Sequence, residues 1–541
     1  MSTTLYRGGT VLTPDVLTTA GTAAPVPAPT ALLVVDGVVA WLGHEDEADG
    51  LADAADEVLR LDGALVAPGF VDAHAHVLDT ALRIDGLDLS GCTSLDDALA
   101  AVRDAVAGPV GRRLAVEGGP LVGWGWDEHA WPGDRAPTRA DLDAAAGGAP
   151  VYLGRVDLHS AVVSTSFAQV VGLTTLPGWQ EDGRVTGEAH ATARAAVRDV
   201  GDTRRAELDR AALAAAARAG VVALHEQSAP QTDSRAGLAG LLALTADPGS
   251  GLPLVVGYRA ELCETADDAR EVAAALPGLV GVGGDLDVDG SLGSRTAALR
   301  APYVDLPDGA TELTGVLALT AEQVSNHVAA VTRAGLQAAF HVIGDRAVDE
   351  VLLGFRVAAE VEGVEAVRGA GHRLEHASML DAPALASLVL LGITASVQPA
   401  FDAAWGGDTG MYASRLGRGR AASLHPLADL RAAGVPLALG SDSPVTPFDP
   451  WGAVRAAVRH RTRDQRLPAA AAFAAHTRGG WAAAGDRTAG VLEVGAPAHL
   501  AVWRSSDDRD GALPALRDGD PAPECLRTVR AGVVLHDELA G

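Results

Sequence analysis

Short apolar runs of strand length alternate with longer Ala- and Leu-rich segments through most of this chain. Eight runs read as strands: 65–76, 220–228, 252–260, 280–291, 336–344, 372–378, 392–399 and 435–443. They are close to continuously apolar, as strands covered on both faces are. Segments such as RAELDRAALAAAARAG and TAEQVSNHVAAVTRAG lead directly into them with helical spacing. Eight βα repeats predict an α/β chain built on a closed (β/α)8 barrel of the TIM type. An open doubly wound sheet is the competitor. No Gly-rich phosphate loop follows the first strand, and polar groups end several different strands, so the barrel is preferred.

The two ends read differently. Residues 1–65 and the tail from 489 to 541 show short strands with tight turns, neither with enough strands for a stable sheet alone. They are expected to combine into one small composite β-domain, with residues 66–488 forming the barrel. Roughly 140 residues separate the first two barrel strands, too many for a loop. An inserted subdomain at about 95–215 is expected there, containing the WGWDEHAW patch.

Composition narrows the partners. The chain of 541 residues is 48% hydrophobic and carries a formal net charge of −28. That charge argues against nucleic acid or an anionic membrane as partner. No run approaches the ~18 apolar residues of a membrane span, and the start lacks the pattern of a signal peptide. Cys92, Cys263 and Cys525 are odd in number and form no CxxC pair, which fits a reducing cytoplasm. A homodimer is open.

The chemistry collects at strand ends. The first barrel strand closes on DAHAH, where alternation puts His74 and His76 on one side, within reach of one metal ion. His225, His341, His376 and Asp442 end the second, fifth, sixth and eighth strands. In a barrel these ends converge on the catalytic face. The fourth strand reads GGDLDVDGSLG, which would place Asp285, Asp287 and Asp289 on one face, with Asp289-Gly290 turning out of the strand.

The motifs PGFVDAHAH, DGSLGSRTAAL, FHVIGDRAVD, HRLEHAS, ASVQP and LGSDSPV together resemble the amidohydrolase superfamily, family 3 branch, which includes N-substituted formamide deformylases. The resemblance runs nearly end to end. It implies a metal-dependent hydrolase that cleaves a C–N bond of amide or N-formyl type, other than a peptide bond, by metal-activated water. His74, His76 and Asp442 would hold one divalent ion, with zinc suited to such ligands. His341 and His376 would hold a second ion or help hold metal and substrate, and Asp442 would carry the proton; these three are the catalytic candidates. His225, His159, Arg295, Gln398 and Trp126 are candidate contacts for a small amide-type substrate. Asp72, two before His74, could support it from behind.

Relatives typically place a lysine, carboxylated to bridge two metals, four residues before the Asp-Gly of the fourth strand. Here that position is Asp285, and all 42 basic residues are arginine. A carboxylated-lysine bridge is impossible. Asp285 either bridges as a shorter carboxylate, which requires the strand to lie closer, or the site holds one metal; the second is preferred, with Asp285 as a weak ligand or hydrogen-bond partner. A hydrolytic deaminase of the same superfamily is the first rival, disfavoured because Gly344 stands three residues beyond His341 where such enzymes carry an acid. A non-catalytic barrel scaffold is the second, disfavoured by the intact ligand set.

Overall fold

A computed structural model of the chain describes every residue except 1, 20–24, 129–130, 134, 157–159, 307–308, 310, 507–508, 511 and 540–541. Its centre is an eight-stranded parallel sheet: β1 (Phe70–Ala75), β2 (Val221–Ser228), β3 (Leu254–Arg259), β4 (Leu279–Val282), β5 (Gln337–Val342), β6 (Arg373–His376), β7 (Thr394–Val397) and β8 (Leu437–Leu439). The strands follow one another in chain order around the sheet. Closure between β8 and β1 is made by the segment beyond β8. Asp442 N–H donates to the His74 carbonyl (2.7 Å), and His76 N–H donates to the Ser443 carbonyl (2.9 Å). Asp72 Oδ1 accepts from Ser441 N–H (2.9 Å) across the same seam. Gly440 is required there, since a Cβ would sit 2.6 Å from the His74 nitrogen.

The barrel strands are shorter than the runs that predict them, and two of the runs are broken by glycine. The first run divides at Gly69. Leu65–Pro68 pairs antiparallel with Leu500–Arg504 in a five-stranded sheet, to which both ends of the chain contribute. Only Phe70–Ala75 enters the barrel. Tyr6, Val11, Leu32, Val66, Leu500, Val502 and Leu526 form one core between that sheet and a four-stranded sheet of residues 3–60. The fourth run ends as a strand at Val282, because Gly283 and Gly284 take φ of 136° and 96° and bend the chain inward.

The segment between β1 and β2 carries its own five-stranded sheet, drawn from 87–185, with a separate core around Leu121, Trp126, Leu142, Val151 and Leu153. Helix α1 (Val77–Asp85) ties it to the barrel. Its buried Asp79 pairs with Arg194 and Arg198. Burial opposes the charge of Asp79, but the two guanidiniums outweigh it and hold the carboxyl well below its ordinary range. Among the helices that follow are α2 (Ala321–Ala334), α3 (Asp345–Glu362), α4 (Pro399–Trp405) and α5 (Met411–Leu416). No described helix is long and apolar enough to cross a membrane.

Candidate metal centre

Strand ends deliver the polar groups to one point at the mouth. His74 is the penultimate residue of β1, and His76 caps the following helix rather than extending the strand. Their rings still meet, with centroids 5.4 Å apart. Asp442 and His376 are carried inward by left-handed backbone, φ 55° and 66°, conformations that cost energy for non-glycine residues and cluster at functional sites.

Asp285 completes the cluster. Its Oδ1 lies 3.4 Å from His74 Nε2, and its Oδ2 lies 3.1 Å from His76 Nε2. Asp442 Oδ1 lies 3.5 Å from His74 Nε2 and 3.2 Å from His76 Nε2. Each of these separations is close to that between two ligand atoms that both lie about 2 Å from one zinc ion, with Asp285 reaching the two histidines through different oxygens. His74 Nε2 and Asp285 Oδ1 are buried and make no hydrogen bond among the described residues. A cluster of imidazole and carboxylate donors, two of them without partners, fits a divalent cation. His74, His76 and Asp442 form one candidate ligand group, and His74, Asp285 and His376 an overlapping one.

Without a cation, the two carboxylates act on the histidines. Burial lowers the pKa of His74, but the charges of Asp285 and Asp442 outweigh it and raise it to about 10. His76 is raised well above its ordinary value by the same balance. The cluster is built to neutralise a positive charge.

Support from behind is equally specific. The Nδ1–H of His74 donates to Glu375 Oε2 (2.9 Å), leaving the Nε2 lone pair for the metal. Glu375 in turn accepts from Arg373 at both oxygens (2.9 and 3.0 Å), and both side chains are fully buried. Burial works against the Glu375 carboxylate, yet Arg373 and the His74 hydrogen bond outweigh it, holding its pKa down at about 2. Arg373 also donates to His225 Nδ1 (2.6 Å) and to the Ala73 carbonyl (2.7 Å), with its guanidinium 4.5 Å from the Tyr258 ring centre.

Residues 57–536 match the amidohydrolase family model, the third of its kind. The chain belongs to amidohydrolase family 3. It is 26% identical over 550 residues to the N-substituted formamide deformylase of Arthrobacter pascens, covering 94% of this chain and 95% of that one. It is 27% identical over 484 residues to the protein LONG AFTER FAR-RED 3 of Arabidopsis thaliana, covering 84% and 77%. A metal-dependent hydrolase from Pyrococcus horikoshii shares the fold, with a TM-score of 0.75 at 24% identity, covering 96% of this chain and all of that one. This family member is a metal-dependent hydrolase.

The remaining candidates divide. His341 and His376 face each other across the mouth, ring centroids 4.5 Å apart, and His376 Nε2 is 3.9 Å from Asp285 Oδ1. Burial pushes His341 down to about 3, so it stands neutral. Gln398 accepts from His376 Nδ1 through Oε1 (2.8 Å) and thereby orients that ring. His225 is fully buried, with Nδ1 accepting from Arg373 and Nε2 without a hydrogen-bond partner among the described residues. Trp126 is fully buried in the inserted subdomain and donates to the Leu153 carbonyl (2.9 Å). The expected substrate contact is a packing residue, like Trp124 and Trp131 beside it. Arg295 makes a two-pronged pair with Asp305, which Arg415 shares. His159 lies outside the described residues.

The three aspartates of GGDLDVDGSLG go separate ways, contrary to the single face expected of a continuous strand. Asp285 enters the cluster, and Asp287 stands half-exposed at the rim, bridged to His341. Asp289 stands in a bend of the backbone on the way out of the strand, as expected, but its side chain does not face solvent. It is buried and accepts from the backbone N–H groups of Ala298 (2.8 Å), Ile343 (2.9 Å) and Gly344 (2.7 Å), fastening the loop after β4 to the entry of α3. Sequence reasoning missed Glu375 and Arg373, although a charged pair two residues apart in an apolar strand was the available signal.

Proposed function

We propose that the chain hydrolyses a non-peptide C–N bond of amide or N-formyl type in a small molecule, using one divalent ion, with zinc the best match to the ligands. The observation that carries this is the convergence of Asp285 and Asp442 on His74 and His76, with three neighbours, Glu375, Gln398 and Asp72, used to fix ring or backbone positions. A bound divalent ion supplies Lewis acidity, polarising the scissile carbonyl and acidifying the attacking water.

The chain's own groups do the rest. Asp442 turns one carboxylate oxygen to both histidines; its other oxygen takes the water proton and returns it to the leaving nitrogen. His376, its Nδ1–H engaged by Gln398, presents Nε2 to the mouth as an acceptor. Neutral His341 beside it completes the wall against which the substrate is oriented.

Deamination is the weaker reading. Asp345, the acid nearest to the position where a deaminase would need one, accepts backbone N–H groups from Arg300 (2.8 Å) and Arg346 (3.0 Å) at the start of α3. The likeness to the Arthrobacter pascens enzyme, over nearly the full length of both chains, supports the N-formyl class. Zinc-loaded protein assayed on matched N-alkylformamides, acetamides and aminopyrimidines tests the proposal. Release of primary amine from the amides supports it; ammonia release from the aminopyrimidines alone would replace it with deamination.

A further inference from the structure

His425 is the least explained polar residue near the mouth. It is 2% exposed, and neither ring nitrogen has a hydrogen-bond partner among the described residues. Its backbone is left-handed, φ 51°, and is held there on both sides: N–H donates to the Ser378 carbonyl (2.9 Å), and its carbonyl accepts from Leu427 N–H (2.7 Å). Two unpaired nitrogens on one buried ring are costly. A position this restrained and this unsatisfied calls for a partner the chain does not supply.

Its surroundings say what kind. The ring packs against Tyr412 (5.6 Å between centroids) and Phe401 (6.5 Å). Phe401 lies stacked on His376 at 6.1 Å and 14°, so a single aromatic ring separates His425 from the metal cluster. Around them a hydrophobic cluster gathers Leu292, Ile343, Met379, Trp405 and Met411. Each of these follows a barrel strand, from β4 to β7, so the cluster stands on the catalytic face. Met379, Trp405 and Met411 remain partly exposed and offer apolar surface. Desolvation first, then His460 and His376, push His425 down to about 3, so the ring meets a ligand uncharged.

We propose that this patch is the subsite for the substituent on the substrate nitrogen, and that His425 hydrogen-bonds a hydroxyl at its far end. The favoured substrates are then amides of arylalkyl amines whose ring carries a hydroxyl group. The proposal rests on reading the centre as an amide hydrolase, so its test is made by binding, which needs no turnover.

The probes are tyramine and phenethylamine, which differ by one phenolic hydroxyl, titrated calorimetrically into the full-length zinc-loaded protein. Tyramine is expected to bind about tenfold more tightly, as one hydrogen bond to an otherwise unsatisfied buried group allows. His425→Asn, which tolerates left-handed backbone, and His425→Phe are both expected to abolish that preference. Phenethylamine affinity should stay within about twofold and zinc content unchanged. If His425→Phe fails to fold, His425→Asn alone carries the comparison. Equal affinities in the wild-type protein, no binding of either amine, or a preference that survives in the variants would overturn the proposal; the first of these is what a buried water on His425 would give. If the hydroxyl preference appears and disappears as expected while the N-formyl derivatives of both amines are not hydrolysed, the subsite stands and the hydrolase reading falls.

Discussion

Glu375→Gln separates what the buried charge pair does for the fold from what it does for the metal. The substitution keeps the shape of the side chain and one acceptor for His74 Nδ1, but removes the charge opposite Arg373, which is fully buried. Stranding one member of such a pair costs about 3–5 kcal/mol. Arg373 keeps the Ala73 carbonyl, His225 and the face of Tyr258, so the lower end, about 3 kcal/mol, is expected. The weaker acceptor also makes His74 a poorer ligand, which should reduce metal affinity about 10- to 100-fold. Denaturant unfolding of the metal-free protein measures the first quantity, and competition with a chromophoric chelator the second. Adding Arg373→Met removes the stranded cation, so the double variant should recover most of the stability and none of the affinity. Zinc binding within twofold of wild type in Glu375→Gln, or affinity regained in the double variant, would refute the reasoning.

Other expectations follow from single positions. Gly284→Ala introduces a Cβ 2.2 Å from Gln227 Oε1 at φ 96°, so Asp285 should leave the cluster and zinc affinity should fall at least tenfold, read by the same competition assay. Asp289→Ala strands three backbone N–H groups and should destabilise the protein by more than about 3 kcal/mol in denaturant unfolding, at about 1–3 kcal/mol per group. Burial pushes His327 down to about 4 and His372 to about 3, and each accepts a backbone N–H at Nδ1, from Cys263 (3.0 Å) and Ala338 (2.8 Å). Unfolded, both take a proton near pH 6.5, so the unfolded chain binds more protons between there and pH 4. Stability should therefore fall with falling pH across that window, each residue contributing up to about 1.4 kcal/mol per pH unit. His372→Gln should flatten the slope by that amount, and an unchanged slope would contradict it.

The barrel was legible because all eight of its strands are apolar runs bounded by polar ends, and because His74, His76, His341, His376 and Asp442 sit at those ends. What escaped was geometry that a period of two cannot carry. Gly283 and Gly284 break the fourth strand, so alternation counted through them put Asp285, Asp287 and Asp289 on one face when only Asp285 enters the cluster. The same bend answers the shortness of aspartate beside a carboxylated lysine: the backbone comes inward, and a short side chain reaches both histidines. Trp126 could be read either as a pocket wall or as packing of the insert, because aromatic residues in a patch look alike from sequence, and it packs. His225 lies within β2 rather than at its end, because the strand continues through the polar residues Glu226, Gln227 and Ser228.

The central claim is that Asp285 serves as a ligand to one divalent ion shared with His74, His76 and Asp442. Elemental analysis of zinc-loaded protein, dialysed against metal-free buffer, tests it most directly when wild type and Asp285→Asn are measured together. The account predicts close to one zinc per chain in the wild type and well under one in the variant. Two zinc ions per wild-type chain, or full retention in Asp285→Asn, would contradict it.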